Sequence, residues 1–99
     1  MPQLTDLDVT RNEAENRFET TVDGHLSKID YRRYGDDKIA YVHTEVPPEL
    51  EGQGIASKMV KVALQYVREN NLKLMPLCPF VKSYLQRHAE EWSDLTLIG

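Results

Sequence analysis

The stretch V-P-P-E-L-E-G-Q-G-I-A-S, Val46 to Ser57, joins two runs of different periodicity. Before it, K-I-A-Y-V-H-T-E-V (Lys38 to Val46) reads as a strand. After it, Ile55, Met59, Val62, Ala63 and Tyr66 recur at helical spacing, with Val60, Leu64 and Val67 widening the apolar stripe. Asn70-Asn71 closes this helix, and L-K-L-M-P-L (Leu72 to Leu77) is a short apolar run bounded by turn signals, the pattern of a buried strand. A strand, a helix of about four turns and a second strand form a parallel crossover, which is right-handed by strong precedent. The chain is thereby restricted to a mixed α/β sheet. Its two central strands, ending at Val46 and Leu77, are expected to be parallel neighbours.

Upstream, R-F-E-T-T-V (Arg17 to Val22) and H-L-S-K-I-D-Y-R-R-Y flank Asp23-Gly24. Asp-Gly between two such runs is a hairpin signal, because a type I′ turn needs positive φ at both central positions. A second turn at Gly35–Asp37 leads into the Lys38 strand, giving an antiparallel meander of three strands. Downstream, a second helix is expected over about Pro79 to His88 and a short tail strand near Leu95 to Ile98. The expected fold class is α/β: a meander, a β-α-β crossover and a second helix, in one domain over residues 1–99 with a mobile start of about eight residues.

Apolar residues make up 40% and charged residues 28% of the 99 positions, ordinary for a soluble globular chain. A net charge of −4 argues against a general binder of nucleic-acid backbones. No run approaches the roughly 18 apolar residues of a membrane span. The N-terminus resembles neither a signal nor a transit peptide. The single cysteine, Cys78, excludes an internal disulfide. His25, His43 and His88 lack metal-ligand spacing, so no metal is expected. These features predict a cytoplasmic protein, monomeric or weakly dimeric, that binds neither nucleic acid nor membrane.

The small residues after Val46 converge on one physical need. Pro47 and Pro48 lack an N–H, so the strand ladder stops there. Gly52, Gly54 and Ala56 keep side chains away from the helix entrance, whose first amides have no intrahelical acceptor. Together with the positive end of the helix dipole, those amides form a cradle for phosphate or pyrophosphate. A Walker loop is excluded, since G-I-A-S-K lacks Gly-Lys-Ser/Thr. A dinucleotide fold is excluded too: Ser57 stands at the third glycine, and L-M-P-L-C offers no acidic residue at the strand end.

E-G-Q-G-I-A resembles the Q/R-x-x-G-x-G/A acetyl-CoA motif of the GNAT (GCN5-related) N-acetyltransferases, following a strand that ends in V-P. N-R-F-E-T-T-V-D-G, H-T-E-V-P-P-E-L-E-G-Q-G-I-A-S-K-M-V and P-L-C-P-F-V-K-S-Y-L-Q-R-H-A-E-E-W are similar to a small subgroup of that family, about as long as this chain of 99 residues. The resemblance runs from about Val9 to Leu95. It departs at Glu51, where the family usually carries Arg or Gln; a carboxylate beside a pyrophosphate is unfavourable, so Glu51 is expected to point away.

The resemblance implies that the parallel strands splay, with the pantetheine arm of coenzyme A between Thr44–Val46 and Leu77–Cys78. The cofactor-binding positions it implies are Thr44, Val46, Glu51, Gly52, Gln53, Gly54, Ile55, Ala56, Ser57 and Cys78. Backbone amides of Gln53, Gly54, Ala56 and Ser57 would hold the pyrophosphate, and an N–H near Val46 would polarise the thioester carbonyl, a role worth about 3–4 kcal/mol. Acetyl transfer to an amine also needs a base and an acid. His43 and Glu45 share one strand face and suit a proton relay, though a plain cross-strand polar pair explains them equally. Tyr84 falls near the family's aromatic acid, or packs as a core tyrosine. Cys78 precedes Pro79 at a helix N-terminus, where thiolates are stabilised. It suits either a ping-pong route through an acetylated thiol or a buried inert cysteine. Trp92 is expected to anchor the last helix. One of Arg32 and Arg33 faces outward, toward the adenosine 3′-phosphate or toward solvent alone. The function implied is acetyl-CoA-dependent transfer to an unknown amine; the alternative is a module that binds or carries the acyl group without efficient turnover.

Overall fold

Residues 8–95 are described in the computed structural model of the chain. Alternation builds its sheet. In β2 (Arg17–Val22), Phe18, Thr20 and Val22 are buried while Arg17, Glu19 and Thr21 face the other way. β3 (His25–Tyr34) repeats the pattern with Ser27, Ile29 and Tyr31 inward. The turn between them has φ of +52° at Asp23 and +79° at Gly24, as a type I′ hairpin requires. β4 (Lys38–Glu45) completes the meander, and β5 (Lys73–Pro76) joins it in parallel. Among the described residues the order is β1-β2-β3-β4-β5, with β1 at Thr10–Asn12.

The structure departs from the sequence expectations in three places. Among the described residues β5 is the outer strand beside β4, its expected parallel neighbour, rather than a central one. A further strand, β1 (Thr10–Asn12), pairs antiparallel with β2. Three residues carry too little periodicity to announce a strand, and pairing with β2 makes this one. Leu95, expected in a tail strand, closes a 3-10 turn, Ser93–Leu95; the rest of that strand, to Ile98, lies outside the described residues, as does nearly all of the start that the sequence reading expects to be mobile.

α1 (Ile55–Glu69) lays Ile55, Met59, Val60, Ala63, Leu64 and Val67 on the sheet. Its end is a Schellman motif. Asn71 is left-handed at φ +55°; its N–H bonds to the Arg68 carbonyl at 3.2 Å, and the Leu72 N–H bonds to the Val67 carbonyl at 3.0 Å. That turn aims the chain straight into β5. α2 (Pro79–Arg87) begins with Cys78 as N-cap and Pro79 at its first position, as a fixed φ favours. A separate short helix, α3 (Ala89–Trp92), buries Trp92. The Arg68 guanidinium lies 4.6 Å from the Trp92 ring and pairs with Asp94 at 2.8 Å, tying the end of α1 to α3.

Candidate functional site

Two irregularities open a cleft at the carboxyl end of β4. The first is a break in register with β3: Asp30 pairs with His43, but Tyr31 pairs with Tyr41, leaving Val42 as an extra residue. Such a bulge bends its strand and adds twist. The second irregularity starts at the same point. β4 and β5 pair only as far as Tyr41 and Pro76, and the Tyr41 carbonyl then accepts from both Leu77 N–H (3.1 Å) and Cys78 N–H (2.9 Å). Past that fork the two strands no longer pair. No sequence signal marks a one-residue bulge in an apolar strand.

The chain then crosses to α1 through a 3-10 turn at Pro48–Leu50 and two left-handed glycines, Gly52 (φ +83°) and Gly54 (φ +78°). A Cβ built on Gly52 meets nothing within 4 Å, so conformation rather than crowding selects glycine there. The first helical bond runs from Lys58 N–H to the Gly54 carbonyl at 3.1 Å. The amides of Ile55, Ala56 and Ser57 therefore emerge from the helix mouth without intrahelical acceptors.

The resulting cleft is about 460 Å³ and is lined by Thr44, Glu45, Val46, Leu50, Glu51, Gly52, Gly54, Ile55, Ala56, Ser57 and Phe80. Diverging strand end, glycine turn and helix mouth thus share one concavity. Glu51, expected to point away, is instead one of the lining residues, and Gln53, from the same loop, is exposed and outside the lining. Leu50 and Phe80 escaped sequence reasoning. Each is an ordinary apolar residue that only the tertiary fold brings to the cleft.

The remaining candidate residues separate. Cys78 is buried, and its Sγ lies 3.2 Å from Thr44 Oγ1 across the divergence. His43 and Glu45 do meet, Nε2 to Oε1 at 3.4 Å, on the sheet face carrying Lys28 and Asp30, their register partners. Glu45 reaches the cleft lining and His43 does not. Tyr84 also lies outside the lining, with its ring centroid 4.2 Å from that of His88. Burial, reinforced by the Glu91 carboxylate, raises the Tyr84 phenol above its ordinary value and keeps it protonated at neutral pH. Arg33 points neither to the cleft nor to solvent alone: its Nη1 bonds to the Tyr66 hydroxyl at 3.2 Å. Among the described residues no cluster of metal-ligating side chains occurs, and no helix is long and apolar enough to cross a membrane.

A sequence model described as GCN5-related N-acetyl-transferase matches residues 17–95. The chain belongs to that family. A solution structure of a GCN5-like protein from Staphylococcus aureus is 33% identical, with a TM-score of 0.72 over 98% of this chain and 91% of that one. The crystal structure of Ard1 from Thermoplasma volcanium, at 20% identity, 67% coverage of this chain and 46% of that one, shares the fold with a TM-score of 0.55. Protein NATD1 of Xenopus tropicalis is 33% identical over 58 residues, 59% of this chain. The match spans about half of that relative, 53% of its length. GCN5-related acetyltransferases are thus this chain's relatives in both sequence and fold.

Proposed function

We propose that this chain binds acetyl-CoA in the cleft and transfers its acetyl group to an amine. One observation carries the reading: the end of β4 and the open mouth of α1 face a single concavity, and the helix entrance in its lining is built from Gly52, Gly54, Ala56 and Ser57. Acetyl-CoA supplies an acetyl group activated as a thioester. The Ile55, Ala56 and Ser57 amides bind the pyrophosphate at the positive end of α1, while Val46, Leu50, Ile55 and Phe80 exclude water from the arm. Glu45, at the cleft edge and on the open sheet face, draws in a cationic amine, and the His43–Glu45 pair takes up its proton. That open face suits a protein or peptide amine.

Two tests follow. Ala56→Asp places a carboxylate in the first turn of α1, where it favours the helix but repels a pyrophosphate. Calorimetry is expected to show coenzyme A binding weakened by about tenfold or more, with thermal stability kept; undiminished affinity removes the proposal. Cys78 is buried, outside the cleft lining and 3.2 Å from Thr44 Oγ1, which does line the cleft, so the thiol route carries a test of its own. Intact-mass measurement after incubation with acetyl-CoA is expected to find an added acetyl group that Cys78→Ala lacks. Equal turnover in that variant, with no adduct in the parent, rejects the thiol route and leaves direct transfer. A second reading, binding without efficient turnover, is favoured by His43 and Tyr84 standing outside the cleft lining. Release of the free coenzyme thiol that does not rise when amines are added selects it.

A further inference from the structure

Far from the cleft, two cations converge on one phenol. The Arg11 guanidinium lies 4.9 Å from the centroid of the Tyr66 ring, and its Nη1 donates to the Tyr31 hydroxyl at 3.3 Å. Arg33 donates through Nη1 to the Tyr66 hydroxyl at 3.2 Å and through Nη2 to the Asp36 carbonyl at 3.4 Å. Tyr66 is about 17 Å beyond the mouth of α1 at the usual helical rise. This group therefore lies toward the opposite end of the helix from the coenzyme cradle. A clamp fastening β1 to α1 needs one cation on that ring; a second like charge beside it is unfavourable.

Guanidinium groups only donate, with five N–H each. The Tyr31 and Tyr66 oxygens accept from them, and among the described residues neither hydroxyl proton meets an acceptor. The carboxylate within ion-pair distance is Glu13, 3.6 Å from Arg11 with its side chain 79% exposed, and among the described residues Arg33 has none. The cluster is a set of converging donors in excess of acceptors, in a chain of net charge −4. Two guanidiniums beside the one Tyr66 ring, each with N–H groups to spare, match an oxyanion.

We infer that Arg11, Arg33, Tyr31 and Tyr66 form a second anion site, separate from the coenzyme cleft, that takes a free oxyanion of the phosphate class. Occupancy pins β1 and β3 to α1 through shared hydrogen bonds. The test is calorimetric titration of the full chain with inorganic phosphate at fixed ionic strength, using parent, Ala56→Asp, Arg33→Gln and Arg11→Gln. Ala56→Asp, whose cleft repels phosphate, is expected to keep one phosphate site, the arginine cluster. In that background each arginine variant is expected to bind about tenfold more weakly. In the parent, the side-chain NMR signals of Arg11 and Arg33 should move on addition of phosphate, which reads the site even where a substitution disturbs folding. Complete loss of phosphate binding in Ala56→Asp, full affinity when Arg33→Gln is added to Ala56→Asp, or unmoved arginine signals each overturns the site. None of these results depends on acetyl transfer.

Discussion

Tyr41 donates its hydroxyl to the Ala63 carbonyl midway along α1, and its own carbonyl holds the Leu77 and Cys78 amides. One residue thus fixes both the helix and the fork from which the strands diverge. Burial pushes its phenol well above the ordinary value, so it stays a neutral donor. Tyr41→Phe is expected to cost about 1 kcal/mol, which thermal unfolding would register as a drop of about 5 °C. Glu19 behaves differently. It accepts from Arg17 at 2.7 Å and from Asn12 at 3.2 Å, and these bonds, Arg17's first, hold its carboxyl below the usual 4.5. Because the folded value is the lower one, the stabilisation is complete above about pH 4.5 and fades as pH falls through the folded value. Denaturation midpoints measured from pH 6 to pH 3 should therefore fall less steeply for Glu19→Gln than for the parent (a range set by the usual carboxylate values, about 4). An equal slope would mean that the Arg17 pair contributes nothing.

At the scale of elements, strands, hairpin and helices followed local chemistry and were legible. Asp23-Gly24 set the turn, the α1 stripe set the buried face, and Pro79 set the start of α2. What stayed hidden depends on contacts distant in sequence. β1 exists because β2 offers it an edge, and Leu50 and Phe80 meet only when the crossover closes. The glycine cradle was readable because its conformation is local, whereas the bulge at Val42 is visible only against β3. That bulge carries a prediction. Deleting Val42 restores an unbroken register with β3 while keeping Thr44 on the α1 face, so circular dichroism should still report the fold. The strands then no longer diverge, and calorimetry is expected to show coenzyme A affinity reduced by about tenfold or more, the usual size of a lost well-fitted contact set. Full affinity in the deletion would separate the bulge from the site.

The whole molecule carries a net charge of −4 and, among the described residues, presents His43 and Glu45 exposed on one sheet face beside the half-buried Lys28 and Asp30. Attraction of a basic acceptor to such a surface is long-ranged and screened by salt. With acetyl-CoA saturating, kcat/KM for a lysine-rich peptide is expected to fall as ionic strength rises from about 0.01 M to 0.15 M, over which the screening length shortens from roughly 30 to 8 Å. A salt-independent value would point to a neutral acceptor. The central claim, that the mouth of α1 and the divergence of β4 from β5 together hold one ligand, is tested most directly by following backbone amide NMR signals during titration with coenzyme A. The account predicts the largest shifts at Gly52, Gly54, Ile55, Ala56 and Ser57, with a second group at Thr44, Glu45 and Cys78. Saturable shifts confined to other parts of the chain, or none at millimolar ligand, on the order of 1 mM, would contradict it.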